Sequence, residues 1–267
     1  MRICFLMEDR GPGYVHPVMS VVFELLRARG CAVDWYFPER RVFSLDDLKI
    51  EHDLYVLKSS SLMTYQVGGI LAAKGARMIN SFAAVQRIKN KVEINRLLRD
   101  HDVPVPDAYL TGDIRQLQSA LVTKGPLIAK PYRGRHGLGV VVIRGREELE
   151  RVRLPEGCVY AEAFKAGDGE DRKVYVVGDR VYASKKRFAS GESFLNHAQE
   201  LDVTPEMREI ALRCGAIVGL QVYGVDMIQA DDGLWVIDVN GFPGFKGIAG
   251  VESVLADHLY NYARSGS

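Results

Sequence analysis

Asp238 and Asn240 lie two residues apart in the apolar run Leu234 to Asn240, which continues into Gly241, Phe242, Pro243 and Gly244. In a strand, residues i and i+2 point to one face, so this carboxylate and amide present their oxygens side by side. A second apolar run, Gln221 to Gln229, carries one interior acid, Asp226. The tight turn Asp231-Asp232-Gly233 joins the two runs. A charge in mid-strand needs a partner there. Three hard oxygen donors on adjacent strands suit Mg²⁺, which favours carboxylates, waters and phosphate oxygens. The plainer reading is that Asp238 and Asn240 cap the turn after a strand.

Phosphate chemistry is suggested by a second segment. Pro126 to Pro131 reads as a strand that ends on Lys130, and Val140 to Ile143 as its return. Between them run Tyr132, Arg133, Gly134, Arg135, His136, Gly137, Leu138 and Gly139. Glycines let backbone N–H groups approach an anion, and the cations neutralise it. The order strand–loop–strand excludes a Rossmann fingerprint and a Walker A loop, both of which need a helix after the loop. The segment is expected to act as a lid over phosphates; the alternative is a hydrophilic hairpin tip. Lys91, at a helix start, would by itself be a solvated lysine. Of the six histidines only His136 and His197 fall in such loops, and none has metal-ligand spacing.

The positioning elements follow from periodicity and punctuation. Ile3 to Met7, Ala32 to Phe37, Asp53 to Leu57 and Arg77 to Ile79 read as strands. Between them, Val18, Val21, Val22, Leu25 and Leu26 mark an amphipathic helix closed by Gly30, and a second helix spans about 63–74. This is a small open parallel sheet, with Asp9, Arg10, Lys58 to Ser61, Asn80 and Ser81 at strand ends where such sheets bind ligands. One basic helix is expected from Arg87 through Leu98, stopped by Pro104 and Pro106. Cys158 to Lys165 reads as a strand. Lys173 to Val177 and Arg180 to Ser184 form a hairpin ending in the cationic Lys185-Lys186-Arg187. Thr204-Pro205-Glu206 starts a helix, and a last helix covers about 251–262.

The chain has 267 residues, enough for one large core or two modest domains, and a net charge of +1, which does not argue for nucleic acid or an anionic membrane. Four separated cysteines form no CxxC pair, so a reducing cytoplasm is the default and a zinc site is not expected. No run approaches the roughly 18 apolar residues of a membrane span, and the N-terminus reads as a first strand rather than a signal peptide.

Taken in order, these signals resemble the ATP-grasp superfamily. The resemblance is closest to the branch of ribosomal-protein-S6 glutamate ligases, lysine-biosynthesis ligases and glutathione synthetase relatives. It rests on Asn90-Lys91; Ala129-Lys130-Pro131 before Gly134, Gly137 and Gly139; Glu162-Ala163-Phe164; Asp171 to Asp179; Arg187 nine residues before Asn196; Gly224-Val225-Asp226; and Asp238-Val239-Asn240 running into Pro243-Gly244. It covers about residues 80–246, and the N-terminal sheet more weakly. It implies an α/β (α+β) ATP-grasp fold: a parallel-sheet pre-ATP-grasp domain, 1–85, then an ATP-grasp domain, 86–267. The latter divides into a lid-bearing subdomain, about 86–162, and a C-terminal subdomain, about 163–267, which clamp the nucleotide between antiparallel sheets.

The resemblance also implies roles. Lys91 and Lys130 contact the α- and β-phosphates, and Arg133 to Gly139, with Gly134 and Gly137, close over the triphosphate. Glu162, Ala163, Phe164 and Lys165 hold adenine through their backbone, with Asp171 near the ribose. Asp226, Asp238 and Asn240 bind one or two Mg²⁺ ions, for which Mn²⁺ can substitute. Arg187 and Asn196, with Lys130, act on the transferred group. Two departures stand out: Asp238 replaces the usual glutamate, and His197-Ala198-Gln199-Glu200 replaces a glycine pair after Asn196.

The implied activity is an ATP-dependent carboxylate–amine ligase that works through an acyl phosphate and releases ADP and phosphate. Its partners are a small-molecule carboxylate and amine, or a peptide or carrier-protein terminus, in a possible homo-oligomer. The alternative is an ATP-grasp kinase acting on a hydroxyl of an inositol- or sugar-phosphate-like molecule, with Arg10, Arg40, Arg41, Lys58, Lys185, Lys186 and Lys246 as a phosphate-reading pocket.

Overall fold

The computed structural model describes residues 1–11, 14, 16–131, 140–152, 157–187 and 198–265, the side chains of Pro131 and Arg187 excepted. It opens with β1 (Arg2–Met7), α1 (Pro17–Ala28), β2 (Ala32–Tyr36), β3 (Leu54–Lys58), α2 (Leu62–Ala73) and β4 (Met78–Ile79). These strands form a parallel sheet in the order β2-β1-β3-β4. Helix α1 starts where expected because His16 accepts from the Met19 amide and Pro17 occupies the first turn.

The expected single basic helix is two: α3 (Phe82–Lys89) and α4 (Lys91–Arg99). The break falls at Asn90, whose Oδ1 accepts from the amides of Val92 and Glu93, both at 3.2 Å. Asparagine competes for backbone donors and so starts a new helix instead of continuing the old one. The expected division at residue 85 lies inside α3.

Next come β5 (Ala108–Thr111), α5 (Gln118–Lys124), β6 (Leu127–Pro131), β7 (Val141–Ile143), α6 (Arg146–Arg151) and β8 (Val159–Ala163). Their antiparallel sheet runs β5-β8-β6-β7. A third sheet is built from β9 (Glu170–Val177), β10 (Arg180–Arg187), β11 (Gln199–Leu201), β12 (Val222–Ala230) and β13 (Gly233–Gly241), in the order β11-β10-β9-β12-β13. Helix α7 (Pro205–Val218) precedes β12, and α8 (Val251–Arg264) closes the described chain. Strand β5 and helices α5 and α6 were not expected.

The second sheet has a small core of its own around Leu127, Ala129, Ile143 and Ala161. The first and third sheets share a core, in which Ile3, Phe5 and Val22 join Tyr175, Val222, Leu255 and Leu259. Helix α8 is the joint, packed on α1. A polar clamp adds to it: the buried amide of Asn80, just after β4, donates to Val222 O at 2.7 Å and accepts from the Gln221 and Val222 amides at 2.8 and 2.9 Å. The start of β12 is therefore fixed to the parallel sheet. Phe242 and Phe245, which follow the end of β13, are buried in the same core.

Candidate active site

Strands β12 and β13 place Asp226 opposite Asp238 and Gly224 opposite Asn240, so the three expected oxygen donors do gather. Asn240 Nδ2 donates to Asp226 Oδ2 at 3.1 Å. The Lys173 ammonium, on β9, stands 2.8 Å from Asp226 Oδ1. That oxygen is buried and has no other partner among the described residues. Burial, and then the charge of Asp238 against the opposing pull of Lys173, pushes the Asp226 carboxyl up to about 6. Asp226 thus lies opposite a second carboxylate, with Lys173 as its one ion-pair partner among the described residues.

The donor set fits Mg²⁺. It comprises two carboxylates and an amide, the hard oxygens that ion takes, with room for waters and phosphate oxygens. The Asn240 amide would have to turn so that its oxygen faces inward, which its two-fold shape permits. Among the described residues no group of three His, Cys, Asp or Glu side chains is gathered, so the set depends on that amide.

The β12–β13 pairing slips between Asp226 and Met227, and Ile237 is passed over in the register. Such a bulge leaves backbone groups outside the ladder. The Ile237 carbonyl accepts from Lys130 Nζ, on β6 of the second sheet, at 3.4 Å. The strand-end lysine therefore comes within one residue of Asp238, across the space between two antiparallel sheets. Its main partner is Glu162 on β8, with Nζ to Oε2 at 2.5 Å. The other Glu162 oxygen accepts from the Tyr160 hydroxyl at 2.6 Å. Burial first, then the Glu162 charge, drives the Tyr160 pKa upward, so the phenol stays a donor. Both acceptor atoms of this buried carboxylate are satisfied, and Lys130 is held in place.

The exit of β8 is tied down. The amides of Ala163 and Phe164 donate to Asp107 O and Pro126 O, both at 2.8 Å. Lys165 pairs with Asp232 at 2.6 Å and lies 3.5 Å over the Trp235 ring. Phe164 is left exposed at the edge of the gap. Asp171, at the start of β9, pairs with Lys186 at 3.1 Å, and its other oxygen is buried without a donor among the described residues. Lys91 sits half-buried in the first turn of α4 and has no ion-pair partner among the described residues. Arg133, Gly134, Gly137, Gly139 and Asn196 lie outside the described residues. Arg187 is placed by its backbone only, opposite Glu170 on β9.

Two contributors escaped the sequence reading. Tyr160 could have been found, because it precedes Glu162 by two residues and so shares its face. Lys173 could not, because its partnership with Asp226 depends on the β9–β12 register.

Of the seven cations considered for a polyphosphate pocket, Arg40, Lys185 and Lys186 are each paired with a carboxylate, and Arg41 lies over Tyr36. They do not form one cluster. No described helix is long and apolar enough to cross a membrane.

The RimK-like ATP-grasp domain model matches residues 88–260. A protein of Hahella chejuensis (strain KCTC 2396) named "Probable alpha-L-glutamate ligase 1" is 34% identical over 188 residues, which is 65% of this chain and 62% of that protein. The chain thus spans under two thirds of that relative's length. A RimK domain ATP-grasp protein of Sphaerobacter thermophilus DSM 20745 superposes with a TM-score of 0.78 at 18% identity, over 97% of this chain and 100% of that one. The ATP-grasp ligase PsnB, in complex with minimal precursor, Mg and ADP, superposes with a TM-score of 0.72 at 21% identity, over 98% of this chain and 97% of that one. The fold is that of an ATP-grasp protein, and the chain belongs to the RimK-like ATP-grasp family.

Proposed function

We propose that the protein is an ATP-dependent carboxylate–amine ligase, forming an amide through an acyl phosphate and releasing ADP and phosphate. One observation carries this reading. A buried, pre-positioned lysine on one antiparallel sheet reaches the residue next to a facing carboxylate pair on another. That juxtaposition suits a nucleotide whose phosphates lie between the sheets. Family membership and relatives named as glutamate ligases support it.

In this reading Lys130 binds the non-transferred phosphates, with Lys91 beside them, and the glycine-rich segment with Arg133 covers them. The β8 exit, from Glu162 to Lys165, borders the adenine, and Asp171 the ribose. Asp226, Asp238 and Asn240 would hold Mg²⁺, which neutralises phosphate charge when bound. Lys173 holds Asp226 in place and balances part of the charge that Asp226 and Asp238 share. Arg187 and Asn196 face the transferred group. The protein needs no covalent nucleophile: the substrate carboxylate attacks the γ-phosphorus, and the amine then displaces phosphate. The carboxylate and amine are small molecules or the end of a peptide. The seven cations named for a polyphosphate pocket are not gathered in one place.

The test is to incubate the protein with MgATP and pools of amino acids, peptides and small carboxylic acids, measuring ADP and free phosphate separately. Equal amounts of both, dependent on a carboxylate and an amine together, are expected. ADP formed with a phosphate ester in place of free phosphate would overturn the reading.

A further inference from the structure

A cavity of about 230 Å³ lies between α1 and the carboxyl ends of β1 and β2, with Lys58 at the end of β3 on one side, outside the gap between the antiparallel sheets. The strand order β2-β1-β3-β4 sends the chain to one side after β1 and to the other after β2, so the β1/β3 crevice is a topological switch point. Open parallel sheets bind ligands there. The cavity is smaller than the roughly 300–1,000 Å³ of drug-sized sites and suits a ligand about as large as one amino acid.

Its walls are of two kinds. Phe23 and Trp35 stack at 5.2 Å between ring centres, with Phe37 nearby, and Trp35 remains 45% exposed. Phe23 belongs to the buried core, the Arg27 guanidinium lies 5.2 Å from the Trp35 ring centre and Arg40 5.1 Å from that of Phe37, so the exposed part of Trp35 is the aromatic surface open to a ligand. The polar end carries Lys58 and Arg10. Lys58 ends β3, is half-buried, and among the described residues its ammonium donates to the Phe242 carbonyl alone, at 3.1 Å. The ion pairs among the described residues do not include it. Two acids share the lining: Glu8 holds Arg10 at 3.0 Å, and Glu24 pairs with Arg27 at 2.8 Å. Burial, then the Arg10 charge, brings the Lys58 pKa down to about 8, and His16 is kept neutral beside the same cations. An anion would relieve this excess of positive charge. Phe242 follows Asn240 by two residues, so Lys58 also ties the cavity to the end of the proposed metal-binding strand.

We infer that this cavity is the pocket for a carboxylate substrate with an aromatic or branched apolar body. The carboxylate is met by Lys58 and Arg10, and the body lies against Phe23, Trp35 and Phe37. The inference rests on the ligase reading and names the class of acid that enzyme would take.

The experiment uses the full chain without nucleotide, with phenylacetate as probe and Trp fluorescence as readout. Phenylacetate is expected to quench saturably at millimolar concentration, and Trp35→Phe to abolish the quench although Trp235 remains. Uncharged phenylacetamide should bind at least about tenfold more weakly, as for loss of a charge-assisted hydrogen bond. Lys58→Met should weaken phenylacetate to the same degree, and Arg10→Gln less. Equal binding of acid and amide, or no saturable quench, would overturn the inference. Should Lys58→Met fail to fold, the amide comparison and the exposed Arg10→Gln decide. Nucleotide binding by MgAMPPNP and ligation are measured in parallel. Ligation by a protein that ignores phenylacetate would overturn the pocket and leave the ligase reading standing. Phenylacetate binding without any ligation would do the reverse.

Discussion

Lys130 and Ile237 belong to different sheets, yet the ammonium of one lies 3.4 Å from the carbonyl of the other, at the residue the β12–β13 bulge passes over. This contact ties the lysine on β6 to the strand that bears Asp238. Glu162 and Ile237 hold the ammonium at this place, where in the proposed reading it would meet the phosphates.

Removing Lys130 should therefore have two separable effects. Lys130→Met leaves Glu162, 5% exposed, with Tyr160 as its remaining described donor. Breaking a buried pair in this way costs on the order of 3 kcal/mol. The double variant Lys130→Met/Glu162→Gln should recover most of the stability but not the affinity for MgAMPPNP. Urea denaturation and nucleotide titration on both variants check this. Recovery of both properties would show that Lys130 has only a structural role.

Asp238→Ala and Asn240→Ala should each lower turnover on the order of 10²-fold or more, as for loss of one strong electrostatic stabiliser. Both residues are only half-buried on a strand, so the folded state should survive. Steady-state rates with circular dichroism as the folding control test this. Near wild-type turnover in either variant would remove the metal assignment.

His16 should contribute a loss of stability as pH drops from about 6.5 to about 4, against the opposite contribution of Asp226, whose carboxyl is raised to about 6. Its ring caps α1 as an acceptor, and burial, then Lys58 and Arg10, lowers its pKa from 6.5 to about 4. Between those values the unfolded chain binds the proton and the folded one does not, so this contribution rises with pH across the window. The contribution is complete above about 6.5 and lost towards about 4. His16→Asn keeps a capping oxygen and should flatten the slope there. Denaturation midpoints at several pH values decide, and an unchanged slope would place the effect elsewhere.

Gly215→Ala should destabilise by about 1–3 kcal/mol through overpacking. A Cβ at this position on α7 would overlap the buried Tyr223 ring, whose hydroxyl is fixed on Ala211 O at 2.8 Å. A thermal melt checks it, and an unchanged midpoint would mean that Tyr223 can move aside.

Much of this was legible in the sequence, for identifiable reasons. Alternation put Asp238 and Asn240 on one face, and a two-residue turn fixed the hairpin that brings Asp226 to them. Thr204 and Pro205 marked the start of α7 because capping is local. What was not legible depends on register or tertiary packing. Lys173 meets Asp226 only through the β9–β12 ladder. Lys58 becomes the floor of a cavity only because Phe242 folds back over β3. The helix start at Lys91 was legible, because Asn90 is a local cap, whereas the end of a separate helix just before it was hidden by the continuous basic run from Arg87 to Lys91.

The most direct test of the ligase reading follows the substrate oxygen. Carboxylic acid pools labelled with ¹⁸O in the carboxyl group are supplied with MgATP and amines, and the released phosphate is analysed by mass. An acyl phosphate forms by attack of a carboxylate oxygen on phosphorus, so one ¹⁸O per turnover should appear in the phosphate. ATP consumed with amide formed but no ¹⁸O in the phosphate would contradict the account.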